Sequence, residues 1–168
     1  FRHDGLKTVT YELLADRGWE APDAVVLPAS TGELVVGVID GLQECVELGL
    51  IDETPTVYAV QAAGCAPIAA AWEVGKETTE PWETPDTIVG ELEVADPPGG
   101  DLALATLRES GGEVLTVEDD EALESAVAVA STETVEVGLA GGVAAAGLWS
   151  LAEDGTLGGE DEVVVLNT

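Results

Sequence analysis

Apolar and polar positions along this chain fall into blocks whose period switches between that of a helix and that of a buried strand. In "TVTYELLADRG" the apolar residues recur at helical spacing and Gly18 offers a stop, which predicts a helix through about Asp16. "DAVVLP" is a short continuous apolar run closed by Pro28, the mark of a strand buried on both faces. From Leu34 to Val46 the apolar residues Leu34, Val38, Leu42 and Val46 form a stripe flanked by Val35 and Ile39, a helix signature. "TPTVYAVQA" predicts a second strand, rich in β-branched and aromatic residues, and "APIAAAWEVG" a helix that tolerates Pro67 in its first turn.

The pattern then lapses. Lys76 to Gly100, with Pro81, Pro85, Pro97 and Pro98, predicts a long surface excursion in which Trp82 reads as an anchoring aromatic rather than a ligand contact. Periodicity returns with a helix near Asp101 to Arg108, a strand "GEVLTV", and a helix opening at "EDDEALESAV", whose acidic first turn suits the helix dipole. "LAGGVAAAGLWSLAEDG" predicts a helix of small residues built for close packing, and "DEVVVLNT" a last strand. Strands alternating with helices imply βαβ units: an α/β, three-layer αβα domain around a mostly parallel sheet. Ligands of such sheets bind beyond the carboxyl ends of the strands.

Composition sharpens this picture. The 168 residues suit one domain with a sizeable core, read here as a piece of a longer protein because the chain contains no Met and stops directly after a strand. The 34 acidic side chains face only 5 basic ones, for a net charge of -29, which would repel nucleic acid. The acids are spread between apolar runs rather than gathered in blocks, so disorder does not follow. The balance resembles that of proteins from extreme halophiles, and molar salt, with a Debye length of about 3 Å at 1 M, would screen the self-repulsion. The fold is expected to loosen in dilute buffer. No signal peptide or long apolar span is visible, so a cytoplasmic location without membrane attachment is expected.

Candidate chemistry is sparse. Cys45 and Cys65 are too far apart for a CxxC pair and lack histidine company, so they read as buried thiols and no metal site is expected. Arg2, His3 and Asp4 read as a solvated connector. The stretch "PASTGELVVG" is more informative, because a strand followed by a small-residue turn and a helix start presents main-chain N–H groups and the positive end of a helix dipole. Ser30 and Thr31 are also ordinary helix N-cap residues, and that structural role competes with an anion seat.

Several segments, in this order and spacing, resemble threonine synthase, a fold-type II pyridoxal phosphate enzyme of tryptophan synthase β-like fold. They are "GLKTVTYELLADRGW", "VYAVQAAGCAPIAAAWEVGKE", "DTIVGELEV", "ALATLRESGGEVLTVEDDEALESA" and "VEVGLAGGVAAAGLWSL". Lys7 in "GLKT" favours threonine synthase over its dehydratase and cysteine synthase relatives. The resemblance implies the cofactor-holding large domain, residues 1–168, with pyridoxal phosphate as cofactor. Its phosphate loop falls on Ser30, Thr31, Gly32, Glu33 and Leu34. Gly32 alone keeps the family's glycine; Ser30 and Glu33 stand where the family has glycine, and Thr31 and Leu34 where it has asparagine. A second implied contact is Thr168, whose hydroxyl would face the pyridine nitrogen.

The implied reaction takes O-phospho-L-homoserine and water to L-threonine and phosphate. It needs a Schiff-base lysine, which the family places upstream of this segment, so neither Lys7 nor Lys76 is a candidate and the segment alone is expected to be inactive. An amino-acid substrate is implied, with a homodimer as a candidate assembly. The alternatives are a related dehydratase or β-replacing enzyme, and a non-catalytic paralogue with an altered phosphate loop.

Overall fold

A computed structural model describes residues 2–168, with side chains from Asp4 onward. Arg2, His3 and Asp4, read as a connector ahead of the first helix, instead form its first turn, with Asp4 exposed. In chain order the elements are α1 (Arg2–Asp16), β1 (Ala24–Pro28), α2 (Glu33–Glu47), β2 (Thr56–Ala62), α3 (Pro67–Glu73), α4 (Gly100–Ser110), β3 (Glu113–Val117), α5 (Asp119–Glu133), α6 (Leu139–Glu153) and β4 (Val163–Val165). Each predicted segment forms its element. The last strand is shorter than its apolar run suggests and only half buried, because within this chain β4 pairs on one side only.

The sheet is parallel throughout, in the order β3-β2-β1-β4. Side-chain alternation divides the two central strands between two cores, as a period of two requires. Val25 and Leu27 of β1 and Val57 and Ala59 of β2 face a core shared with Leu14, Val35, Ile39, Leu42 and Leu107 from α1, α2 and α4. Ala24, Val26, Tyr58, Val60 and Ala62 face the opposite core, built mainly from α6 with Ala122 of α5. β1 is buried along its whole length, which explains why it reads as an unbroken apolar run rather than an alternating one.

The small residues of the helices set how closely the layers approach. A Cβ at Gly142 would sit 2.2 Å from the Ala122 carbonyl oxygen, and one at Gly147 would sit 2.6 Å from Val60 Cγ2. On the other face, the Thr10 hydroxyl donates to the Val38 carbonyl at 3.1 Å, over Gly41. Lys7 belongs to this outer joint. Its ammonium lies 2.5 Å from Glu44 of α2, and the same carboxylate accepts from the Tyr11 hydroxyl. These bonds hold the Glu44 carboxyl below its usual range, push the Lys7 ammonium up, and push Tyr11 up to about 12. Cys45 and Cys65 are buried free thiols, both raised by burial.

The excursion between α3 and α4 is fastened across the carboxyl rim. Asp86 N–H donates to the Gly64 carbonyl just after β2, and Gly99 N–H donates to the Thr31 carbonyl just after β1. Beyond β3, the Asp119 carboxylate accepts from the Thr87 hydroxyl at 2.5 Å and from Ile88 N–H at 2.8 Å. Asp101 similarly holds Thr79 through its amide and hydroxyl. Val89 and Leu92 turn into the second core. Trp82 is half buried and shares a cavity of about 470 Å³ with Trp72, Val114 and Thr116.

Candidate functional site

The strand order reverses between β1 and β4. The chain runs outward from β1 to β2 to β3 and then returns to the other side of β1, with α2 on one face and α6 on the other. Connections that leave toward opposite faces open a crevice at the carboxyl ends of the two strands where the order switches. Both segments singled out from the sequence flank this point. Ser30 to Leu34 follows β1 directly, and Thr168 follows β4. The register pairs Val26 with Val165, and Leu166 N–H donates to the Val26 carbonyl at 2.9 Å, so the parallel strand β4 ends at the same rim as the turn.

The turn is held from three sides. Ala29 is buried and its N–H donates to the Val60 carbonyl at 2.8 Å, carrying the ladder one residue past β1. The Thr31 carbonyl accepts from Gly99 N–H at 2.9 Å, and the Gly32 carbonyl accepts from Val36 N–H at 3.2 Å as the first bond of α2. Gly32 is the N-cap of that helix, at φ +81°, where a side chain is unfavourable. A Cβ there would also lie 2.7 Å from the Gly99 carbonyl oxygen, so the excursion packs directly onto the turn.

The N-cap role open to Ser30 and Thr31 is therefore taken by Gly32. The Thr31 hydroxyl instead makes a long 3.4 Å contact with Glu33 N–H and donates to the Glu33 carboxylate at 3.3 Å. Among the described residues, the N–H groups of Ser30, Thr31 and Gly32 donate to no protein acceptor. Leu34 N–H lies in the first helical turn, where no intrahelical partner exists. Three successive unmatched amides thus stand at the mouth of a helix, the kind of place where main-chain N–H groups meet anions. Glu33 carries its Cγ toward the Gly99 backbone. Ser30, Thr31, Glu33 and Leu34 are half buried, whereas Thr168 is exposed.

Gln61 escaped the reading of the sequence. It is fully buried near the end of β2, and its Oε1 accepts from Ile68 and Ala69 N–H at 2.9 and 3.0 Å, satisfying the start of α3. Its Nε2 donates to the Ala29 carbonyl at 3.3 Å. The available signal was a lone amide inside an apolar strand, six residues before a helix-opening proline; a buried polar group of that kind needs partners.

These features define an open, parallel α/β domain with a run of unmatched amides at its topological switch point. The chain belongs to the pyridoxal-phosphate dependent enzyme family, whose description it matches over residues 1–168. It is 31% identical over its whole length to a threonine synthase of Methanosarcina acetivorans and 30% identical to one of Methanocaldococcus jannaschii. It spans 42% of each of these relatives. Among solved structures, it resembles a fungal L-serine ammonia-lyase from Rhizomucor miehei, with a TM-score of 0.83 at 24% identity, covering 98% of this chain and 50% of that one. This last likeness establishes the shared fold.

Proposed function

We infer that this chain is the cofactor-holding part of a longer pyridoxal phosphate enzyme that converts O-phospho-L-homoserine and water to L-threonine and phosphate. The observation that carries the reading is the set of unmatched amides at Ser30, Thr31 and Gly32, at a switch point shared with Thr168, in a chain similar throughout to threonine synthases.

The residues present fit the cofactor's phosphate. A dianion is met by N–H donors near a helix N-terminus, and the Ser30, Thr31 and Gly32 amides stand there without a competing protein acceptor. Ser30 adds a hydroxyl where the family has glycine, the Thr31 hydroxyl is engaged by Glu33, and Gly32 keeps the turn compact. Bound there, pyridoxal phosphate supplies an electron sink that acidifies protons of an amino-acid substrate. The Thr168 hydroxyl is the chain's candidate partner for the pyridine nitrogen, and a neutral partner moderates ring protonation. Lys7 and Lys76 are each engaged by a carboxylate, Glu44 and Glu80, and neither belongs to the switch point. The Schiff-base lysine and the contacts to the substrate phosphate accordingly belong to the remainder of the longer protein.

The acidic surface supports a protein that works in molar salt, and a cytoplasmic setting accords with the amino-acid substrate. No helix among the described residues is long and apolar enough to cross a membrane. A homodimer is part of the proposal. The test is release of inorganic phosphate from O-phospho-L-homoserine by the full-length protein in molar KCl, with threonine as co-product. Formation of 2-oxobutanoate from threonine instead would establish the dehydratase alternative. Neither activity, together with no cofactor absorbance, would leave the non-catalytic paralogue.

A further inference from the structure

Each amide N–H shares a planar unit with the carbonyl of the preceding residue, and in a trans peptide the two point in opposite directions. Fixing a carbonyl therefore aims the next N–H. The described residues contain no cis peptide bond. At the turn, the Thr31 carbonyl is fixed by Gly99 N–H, which aims the Gly32 amide, and the Gly32 carbonyl is fixed by Val36 N–H, which aims the Glu33 amide. Two planes remain: one joins the Ser30 carbonyl to the Thr31 N–H, and the other joins the Ala29 carbonyl to the Ser30 N–H. The only hydrogen-bond partner of the latter among the described residues is the Gln61 side chain.

We propose that Gln61 is a positioning residue of the anion seat: by holding the Ala29 carbonyl from inside the sheet, it turns the Ser30 N–H outward to meet phosphate. The inference rests on the function proposed above and adds a residue that does not touch the ligand. The two ends of the side chain divide the work. Oε1 satisfies Ile68 and Ala69 N–H and so roots α3, whereas Nε2 alone acts on the turn. The amide cannot flip without breaking both functions, because an NH₂ group facing two N–H donors accepts nothing. The α3 amides thus fix which end faces Ala29.

This division gives a clean test. In full-length protein labelled with ¹⁵N-serine, inorganic phosphate is the probe and the Ser30 amide resonance the readout, followed to saturation. Wild-type protein is expected to show a large downfield movement of the Ser30 cross-peak, as an N–H that donates to an anion does. The Q61E variant keeps an acceptor for Ile68 and Ala69 but sets an oxygen against the Ala29 carbonyl; its Ser30 movement should be lost even at saturating phosphate, with affinity reduced about tenfold or more. The added charge alone would weaken binding yet leave the movement intact once the site is filled. Q61M, which has no charge, should lose the movement as well, and Gly142→Ala, remote from the turn and also destabilised, should keep it. A full Ser30 movement in Q61E overturns the proposal. No phosphate response of Ser30 or affinity for pyridoxal phosphate in wild-type protein would instead overturn the function beneath it.

Discussion

Gly32 and Gly18 both lie at positive φ, +81° and +68°, but in very different surroundings, and the pair isolates what the excursion contributes to the turn. Alanine in the left-handed region costs roughly 1–2 kcal/mol, partly offset by about 0.4–1 kcal/mol through a less flexible unfolded chain. At Gly18 nothing lies within 4 Å of the new Cβ, so Gly18→Ala should cost only about 1 kcal/mol. At Gly32 the same Cβ meets the Gly99 carbonyl oxygen at 2.7 Å, its carbon at 2.8 Å and Gly100 N at 3.1 Å, all of them backbone atoms that cannot swing aside as a side-chain tip would. Overpacking of this kind adds about 1–3 kcal/mol. Gly32→Ala should therefore lose about 1–3 kcal/mol more than Gly18→Ala, read as the difference in guanidinium midpoints of the full-length protein in molar KCl. It should also weaken pyridoxal phosphate binding, measured by absorbance titration, whereas Gly18→Ala should not. Equal stability losses in the two variants would refute the packing of Gly99 onto the turn, and unchanged cofactor affinity in Gly32→Ala would refute the turn as the phosphate seat.

Other predictions address the joints around the site. With a net charge of -29, the thermal midpoint should climb as KCl is raised from millimolar to molar, and a flat dependence would count against salt adaptation. Gly142→Ala should destabilise by about 1–3 kcal/mol despite the better helix propensity of alanine, since the added methyl meets the Ala122 carbonyl at 2.2 Å; thermal unfolding measures this. Ultraviolet titration should find the Tyr11 phenol ionising near pH 12, and Glu44→Gln should bring it back toward the ordinary value of 10.0. Because folding raises this group, its contribution is complete below its unfolded value and is lost as the pH climbs through the folded one. The Glu44 carboxyl is lowered, so its contribution holds above its unfolded value of 4.5 and disappears as the pH falls through the folded one. Unfolding midpoints of wild type and Glu44→Gln should consequently converge under acid conditions.

The apolar runs determined the elements. "DAVVLP" had to be a strand covered on both faces, because five consecutive buried positions leave no polar side for water, and the 3.6-residue stripe from Leu34 to Val46 had to be a helix lying on that sheet. The glycines and alanines of "LAGGVAAAGLWSL" likewise announced close packing, although not that the partners would be Ala122 and Val60. Short-range preference could not decide the cap of α2, since Ser30 and Thr31 suit that position locally. The position went to Gly32 because its left-handed backbone lets Gly99 approach from nearly seventy residues away. Nor could periodicity order the strands. Whether β4 lies beside β1 or beyond β3 depends on which helix covers which face, a choice made only when both cores close. That choice creates the switch point between Ser30 and Thr168. It is also the tertiary structure that brings the Gln61 amide against the Ala29 carbonyl and the excursion across the rim. Side-chain period is local and therefore written in the sequence, whereas the direction of an unpaired N–H depends on groups distant in the chain that meet only in the folded protein.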